Sequence, residues 1–143
     1  MYFAGIDAHL TYLAIAVVDR AGEVALEERV PTAEPSRVLE VLAPYRPLEA
    51  VVETCPFWPW IHDLVVPAGI GFHLAHAKEL EAIASSTRKT DAGDAVLLAR
   101  MLAAGLIPEA YPRPAAQRET LKLLRHRAAL VRQRTSLANR MHA

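Results

Sequence analysis

The chain has 143 residues, of which 52% are hydrophobic and 6% are aromatic. This length accommodates one domain with a core, and the hydrophobic fraction is too high for a disordered chain. No apolar run reaches the roughly 18–20 residues of a membrane span. The single cysteine, Cys55, excludes an intrachain disulfide. We therefore expect a cytoplasmic protein with no membrane association.

The zero net charge conceals a strong asymmetry along the chain. Residues 1–112 hold fifteen of the sixteen acidic residues, whereas residues 113–143 hold eight basic residues against Glu119 alone. An acidic body followed by a basic segment indicates a metal site in the first part and a polyanion contact in the second. We therefore divide the chain into a domain, 1–112, and a basic helical extension, 113–143.

The first half of the chain predicts an antiparallel meander followed by alternating helices and strands. Three strands with short links come first, and a helix that opens at Pro35 and ends before Pro44 follows them. A buried strand, a helix and a further strand come next. The predicted ranges are 2–6, 13–18 and 24–30 for the meander, then 48–54 (strand), 56–66 (helix) and 71–75 (strand).

The second half of the chain predicts helices only. A short helix covers 78–84, and a polar stretch, 85–89, separates it from a helix capped by Thr90. That helix runs to about Ala104 and ends at Gly105, and a last helix begins near Pro114 and continues to the C-terminus. The fold class is thus α/β: a mixed sheet with antiparallel first three strands and flanking helices, plus a long, coiled-coil-like C-terminal helix.

Four carboxylates lie in or beside apolar sequence, where a charge is costly unless something compensates it. Asp7 ends the first strand, and Glu53 lies in the next buried strand. Asp91 and Asp94, three residues apart, share the apolar face of their helix. Divalent cations would compensate these charges, and a pair of them can cleave phosphodiester bonds. Ordinary roles stay open: a turn for Asp7, an edge position for Glu53, and a helix-dipole partnership for the pair.

Four sequence segments, taken in order, carry a family resemblance. They are Gly5-Ile6-Asp7-Ala8-His9, Val51-Val52-Glu53-Thr54, Lys89-Thr90-Asp91-Ala92-Gly93-Asp94-Ala95 and Leu98-Ala99-Arg100-Met101-Leu102. Together they resemble the N-terminal domain of the DEDD transposases of bacterial insertion sequences, a family with RNA-guided recombinases and related site-specific invertases. The resemblance covers nearly the whole chain.

The resemblance implies an RNase H-like (RuvC-like) fold in which the four acidic residues, Asp7, Glu53, Asp91 and Asp94, are catalytic and bind Mg²⁺, with Mn²⁺ as a substitute. It also implies the catalytic domain of a DNA transposase or recombinase, for Mg²⁺-dependent strand cleavage and exchange at insertion-sequence ends. Some family members use a structured guide RNA, which is a second candidate partner beside DNA. The family also has a C-terminal domain that bears a serine nucleophile. We expect this domain to be absent from the chain, which would then be an incomplete recombinase.

Basic residues supply candidate contacts to nucleic-acid phosphates. Arg88 and Lys89 directly precede Asp91 and could clamp a phosphate, although a solvated loop is the ordinary alternative. The last helix carries a basic face against little opposing acid; the candidates there are Arg118, Lys122, Arg125 and Arg132. A weak apolar seam on the same helix indicates pairing with a second copy, as a homo-oligomer, or with the absent domain; its members are Leu121, Leu124, Ala128, Val131, Thr135 and Ala138.

Two other function classes remain open at this stage. A non-catalytic nucleic-acid-binding and dimerisation module would keep the basic helix and leave the acidic cluster inert. An actin-like phosphotransferase fragment also opens with a strand that ends in Asp, but it needs flexible glycine and hydroxyl residues next to cradle phosphate. Ala8, His9 and Leu10 do not provide them.

Overall fold

A computed structural model describes residues 1–84 and 91–141, with side chains for residues 1–80 and 94–141. These residues divide into two compact units, Met1–Ala110 and Tyr111–Ala143. The first unit contains the sheet and four helices, and the second contains one long helix. None of the helices in the described ranges combines the length and apolarity that crossing a membrane requires.

Within the described residues, five strands form one mixed sheet: β1 (Tyr2–Ala8), β2 (Tyr12–Val18), β3 (Val24–Pro31), β4 (Leu48–Glu53) and β5 (Gly71–Ala75). Their order across the sheet is β3-β2-β1-β4-β5, so β1 is the central strand. β2 pairs antiparallel with both β1 and β3, which confirms the predicted meander. β4 pairs parallel with β1, and β5 pairs parallel with β4.

The described helices are α1 (Pro35–Leu42), α2 (Trp58–Val65), α3 (Ala77–Ala84), α4 (Asp91–Ala103) and α5 (Ala115–Met141). All five lie close to their predicted positions. α1 opens on Pro35 because proline suits the first helical turn, where its missing N–H is not needed. α4 ends before Gly105, whose positive φ of 68° fits the predicted helix stop. The predicted cap at Thr90 lies outside the described residues.

Helices cover both faces of the sheet, which confirms the predicted fold class. On one face, α1 and α2 bury Val38, Leu42, Ile61 and Val65 in a cluster with Ile6 of β1. On the other face, α4 packs directly over β1 and β2. Because both faces are covered, the central strands are nearly continuous apolar runs instead of alternating patterns.

α4 approaches β1 so closely that only a hydrogen atom fits between them at Gly5. A Cβ atom added to Gly5 would lie 2.7 Å from the Ala99 backbone nitrogen and closer still to the Ala95 carbonyl oxygen. Ala14 and Ala16 of β2 form a small cluster with Ala95, so the neighbouring strand presents methyl groups to the same stretch of helix. Small side chains therefore set the distance between the helix and the sheet.

The outer edge of β5 is covered by the segment 108–110. The Ala110 amide donates to the Leu74 carbonyl oxygen (2.7 Å), and the His76 amide donates to the Pro108 carbonyl oxygen (2.8 Å). This segment pairs the backbone groups of an edge strand that would otherwise be open to another chain. It also fixes the last residues of the first unit to the sheet.

His73 of β5 reinforces this attachment through two carboxylates. Its Nδ1 lies 2.6 Å from Glu109 Oε1, and its Nε2 lies 3.1 Å from Glu49 Oε2. The imidazole thus bridges the covering segment and β4. Its role is structural, since each ring nitrogen already contacts a carboxylate.

We predict that Gly5→Ala destabilises the protein by about 1–3 kcal/mol or more, because the new methyl group collides with helix backbone, which cannot rotate away. The free energy of unfolding from urea denaturation measures this. Gly71→Ala is the matched control, since its Cβ would meet the side chain of Glu49 at 3.0 Å and no helix backbone. Equal losses in the two variants would contradict a special contact at Gly5.

Candidate metal centre and nucleic-acid interface

Asp7 and Glu53 lie at the carboxyl ends of two adjacent parallel strands. The β1–β4 register ends at the pair Ile6–Val52, and Asp7 and Glu53 are the next residue of each strand. Neighbouring strands are about 4.8 Å apart, so the two backbones are side by side. Ligand sites in open α/β sheets form outside these carboxyl ends. The structure therefore brings together two of the four predicted carboxylates.

Both carboxylates share the α4 side of the sheet. Side chains alternate along a strand, so Asp7 lies on the same side as Gly5, which contacts α4. Glu53 likewise follows Val51, which belongs to the hydrophobic cluster beneath α4. Asp7 and Glu53 are both half-buried. The two groups are thus held at the rim of the core and not in bulk solvent.

α4 runs antiparallel to β1, and this direction places its first turn near Asp7. Gly5 contacts Ala95, whereas Phe3 shares a cluster with Leu98 and residues further along the helix. Two strand residues advance about 6.6 Å, which corresponds to about four helical residues at 1.5 Å each. Asp7 lies two residues beyond Gly5 on β1, so the part of α4 next to it lies about four residues before Ala95, at the beginning of the helix.

Asp94 is half-buried in the first turn of α4. Leu98 and Met101, one and two turns further on, are buried against the sheet, as predicted for the apolar helix face that carries Asp94. Asp91 is the first residue of α4, and its side chain lies outside the described residues. Arg88 and Lys89, the predicted phosphate clamp, also lie outside them.

The chemistry of the donor set fits a hard divalent cation. Asp7, Glu53 and Asp94 offer oxygen ligands, which Mg²⁺ and Mn²⁺ prefer, and Mg²⁺ keeps several waters and needs few protein ligands. Among the described side chains, which omit Asp91, no three acidic, imidazole or thiol groups converge closely enough to enclose an ion. The described carboxylates therefore do not form a closed cage on their own.

Cys55 reports on the electrostatics beside the two strand ends. Burial raises the pKa of its thiol, and the negative charges of Glu53 and Asp7 raise it further, against the lowering effect of backbone hydrogen bonds at Phe57 and Trp58. Burial is the largest cause, because a thiolate loses hydration there. That both carboxylates act on one sulfur atom agrees with their adjacency in the strand register. The raised pKa keeps the thiol protonated and weakly nucleophilic.

His9 is a site residue that the sequence reasoning did not single out. Its Nε2 lies 2.9 Å from Asp7 Oδ2. His9 lies just beyond the end of β1, and the signal available in the sequence was its separation of only two residues from a candidate ligand, which keeps the two side chains within reach of each other.

The basic candidates of the extension all lie on α5. Lys122, Arg125 and Arg132 are exposed, whereas Arg118 is half-buried and donates from Nη1 to the Arg113 carbonyl oxygen at 3.2 Å. Three exposed side chains on one long helix can contact a phosphate backbone without rearrangement.

Comparison with known proteins agrees with these features. Two solved structures share the fold: "T. thermophilus RuvC in complex with Holliday junction substrate" (19% identity, TM-score 0.59, 77% of this chain and 99% of that chain) and "Thermus thermophilus RuvC structure" (20% identity, TM-score 0.57, 77% and 100%). The search of curated proteins found no match. The family DEDD_Tnp_IS110, described as a transposase, matches residues 4–143. The chain therefore belongs to this DEDD transposase family and has an RNase H-like, RuvC-like fold.

Proposed function

We propose that residues 1–112 form the Mg²⁺-dependent catalytic domain of a DNA transposase, which cleaves and exchanges strands at insertion-sequence ends. Residues 113–143 form a basic helical extension in this proposal, and the protein acts in the cytoplasm. The observation that carries it is the adjacency of Asp7 and Glu53 at the ends of parallel strands, on the side of the sheet covered by α4.

The four predicted residues, Asp7, Glu53, Asp91 and Asp94, would hold the cation in this proposal. The cation held there would supply Lewis acidity at a phosphodiester and lower the pKa of an attacking water or hydroxyl. The protein's own contribution is position: two carboxylates are fixed by the sheet, and two belong to a helix whose distance from the sheet is set at Gly5. Half-burial strengthens their interaction with a cation compared with carboxylates in bulk water.

DNA is the proposed substrate for two reasons. Members of the family are transposases, and one of the structures that shares the fold holds a Holliday junction. A non-catalytic binding module would need no pair of half-buried carboxylates beside a helix terminus. The geometry therefore favours catalysis over that alternative.

The basic face of α5 is proposed to contact a nucleic-acid backbone, either of the DNA or of a structured guide RNA. Positive charge is concentrated there, since the sequence of residues 111–143 contains eight basic residues and one acidic residue, Glu119. Backbone contacts by Arg and Lys carry affinity without base specificity, so the same face suits both polymers.

α5 is also proposed to pair with a second copy. Leu124 and Val131 of the predicted seam are 55% and 40% exposed, and Leu123, Leu130 and Leu137 add further exposed apolar surface at seven-residue spacing. Contiguous exposed apolar surface on a helix is typical of an interaction face. A single-chain mass at micromolar concentration in sedimentation equilibrium would argue against pairing.

We predict that Asp7→Asn abolishes Mn²⁺ binding without unfolding the protein, because one ligand charge is lost while the shape is kept. Electron paramagnetic resonance of free Mn²⁺ measures the affinity, and circular dichroism follows the fold. Asp63→Asn on α2, on the opposite face of the sheet, is the control and should bind Mn²⁺ like the parent chain. Unchanged affinity in Asp7→Asn would refute the metal assignment.

We predict that Glu53→Gln accelerates alkylation of Cys55 by iodoacetamide at one fixed alkaline pH. Removing the negative charge lowers the pKa of the thiol toward its ordinary value, so a larger fraction is thiolate. Cys55 is the only cysteine in the sequence, so the label reports on one site. Glu49→Gln on the same strand should leave the rate unchanged, and equal rates in both variants and the parent would contradict the charge effect.

We predict that Arg125→Gln and Arg132→Gln each weaken DNA binding and reduce the slope of log K against log salt by roughly 1, the value for one phosphate contact. Fluorescence anisotropy over a salt series gives this slope. Arg20→Gln, an exposed site between β2 and β3, controls for general charge loss. Identical slopes in all variants would place the DNA contact elsewhere.

A further inference from the structure

A short contact joins His9 to Asp7 at the end of β1. Nε2 of His9 lies 2.9 Å from Asp7 Oδ2, and this nitrogen is shielded from solvent. The contact is bent, so Nε2 makes no well-aligned hydrogen bond within the described residues. The short distance is better evidence of an interaction than the poor alignment is against it. Hydrogen bonds in functional sites are often misaligned before a ligand binds and become aligned afterwards.

The hairpin that follows β1 holds the imidazole in place. The His9 ring stacks on the Tyr12 ring, with centroids 4.5 Å apart and planes 26° from parallel. The His9 amide also donates to the Tyr12 carbonyl oxygen at 3.0 Å. The Arg29 guanidinium carbon in turn lies over the Tyr12 ring, 4.9 Å from its centroid. Backbone and ring contacts on neighbouring strands therefore fix the position of His9.

A fixed imidazole restricts the carboxylate that it contacts. The terminal torsion of an aspartate is broad when the group is unconstrained, so a free carboxylate samples many orientations. Orienting it in advance reduces the entropy that a cation must overcome on binding. Residues that orient metal ligands in this way commonly change metal affinity by about 10- to 100-fold when they are removed.

We propose that His9 is a positioning residue for Asp7, held in place by Tyr12, and that it raises the affinity of the carboxylate site for a divalent cation. This inference rests on the proposed metal site. His9 acts through Asp7 and the hairpin, so its effect on cation affinity is separable from the strand-cleavage step.

The test uses the full 143-residue chain and Mn²⁺ as the probe. We expect His9→Ala to weaken Mn²⁺ binding by about 10- to 100-fold while the melting temperature changes little. His9→Gln should recover part of the affinity, because its side-chain amide can contact Asp7 in place of the imidazole. Tyr12→Phe should bind like the parent chain, since it keeps the stacking ring, whereas Tyr12→Leu should lose affinity.

His62→Ala is the matched control. His62 Nδ1 lies 2.8 Å from Asp63 Oδ1 on α2, so this variant removes a similar histidine–aspartate contact on the opposite face of the sheet. Its Mn²⁺ affinity should equal that of the parent chain.

Two negative outcomes are distinguishable. Mn²⁺ binding in the parent chain with unchanged affinity in His9→Ala would overturn the positioning role and leave the metal site standing. A lower melting temperature with unchanged affinity would also overturn that role, and it would show that His9 only supports the hairpin. No Mn²⁺ binding in the parent chain would overturn the metal site and this inference together.

Discussion

The contact between the backbone of α4 and the backbone of β1 at Gly5 is the constraint on which the rest of the site depends. Here the helix lies on the strand with no side chain between them, and methyl groups of Ala14, Ala16 and Ala95 surround the contact. A single Cβ at position 5 would force the two elements apart. Because Asp94 is next to this contact along the helix and Asp7 is close to it along the strand, the spacing of the carboxylates follows from it.

The same geometry has an electrostatic cost. Two carboxylates at neighbouring strand ends repel each other, and half-burial weakens the screening by water. A divalent cation in the proposed site would replace this repulsion with attraction to both carboxylates. Cation binding should then add to the free energy of unfolding, by an amount that grows with the logarithm of the free ion concentration. The strands themselves are held by the apolar layers on both faces of the sheet.

Much of the fold could be predicted from local patterns. The apolar runs of β1, β2 and β4 indicated strands, and the short links between the first three strands indicated the antiparallel meander of the mixed sheet. Pro35 and Gly105 placed helix ends through their fixed or permissive backbone angles. These signals are local, because each residue type restricts the backbone conformation at its own position in the chain.

The site could be predicted only in part. The carboxylates stood out because charges in apolar sequence are costly, but the register that sets Asp7 beside Glu53 is a long-range property of the sheet. The tight contact at Gly5 could not be foreseen, since a glycine in a strand does not indicate which helix will cover it. The contact from Asp7 to His9 could be expected from their separation of two residues, whereas the stack on Tyr12 depends on the hairpin's shape.

The central place of β1 in the sheet has a consequence for the motions of the molecule. β3 is an edge strand that can detach without disturbing the pairing of β1 with β4, whereas releasing β1 breaks two ladders at once. Amide hydrogen exchange should therefore be slower in β1 than in β3, because local opening costs least where fewest partners are lost. The strand that bears Asp7 should thus stay ordered in partially opened states of the protein in which the edge strand β3 has detached.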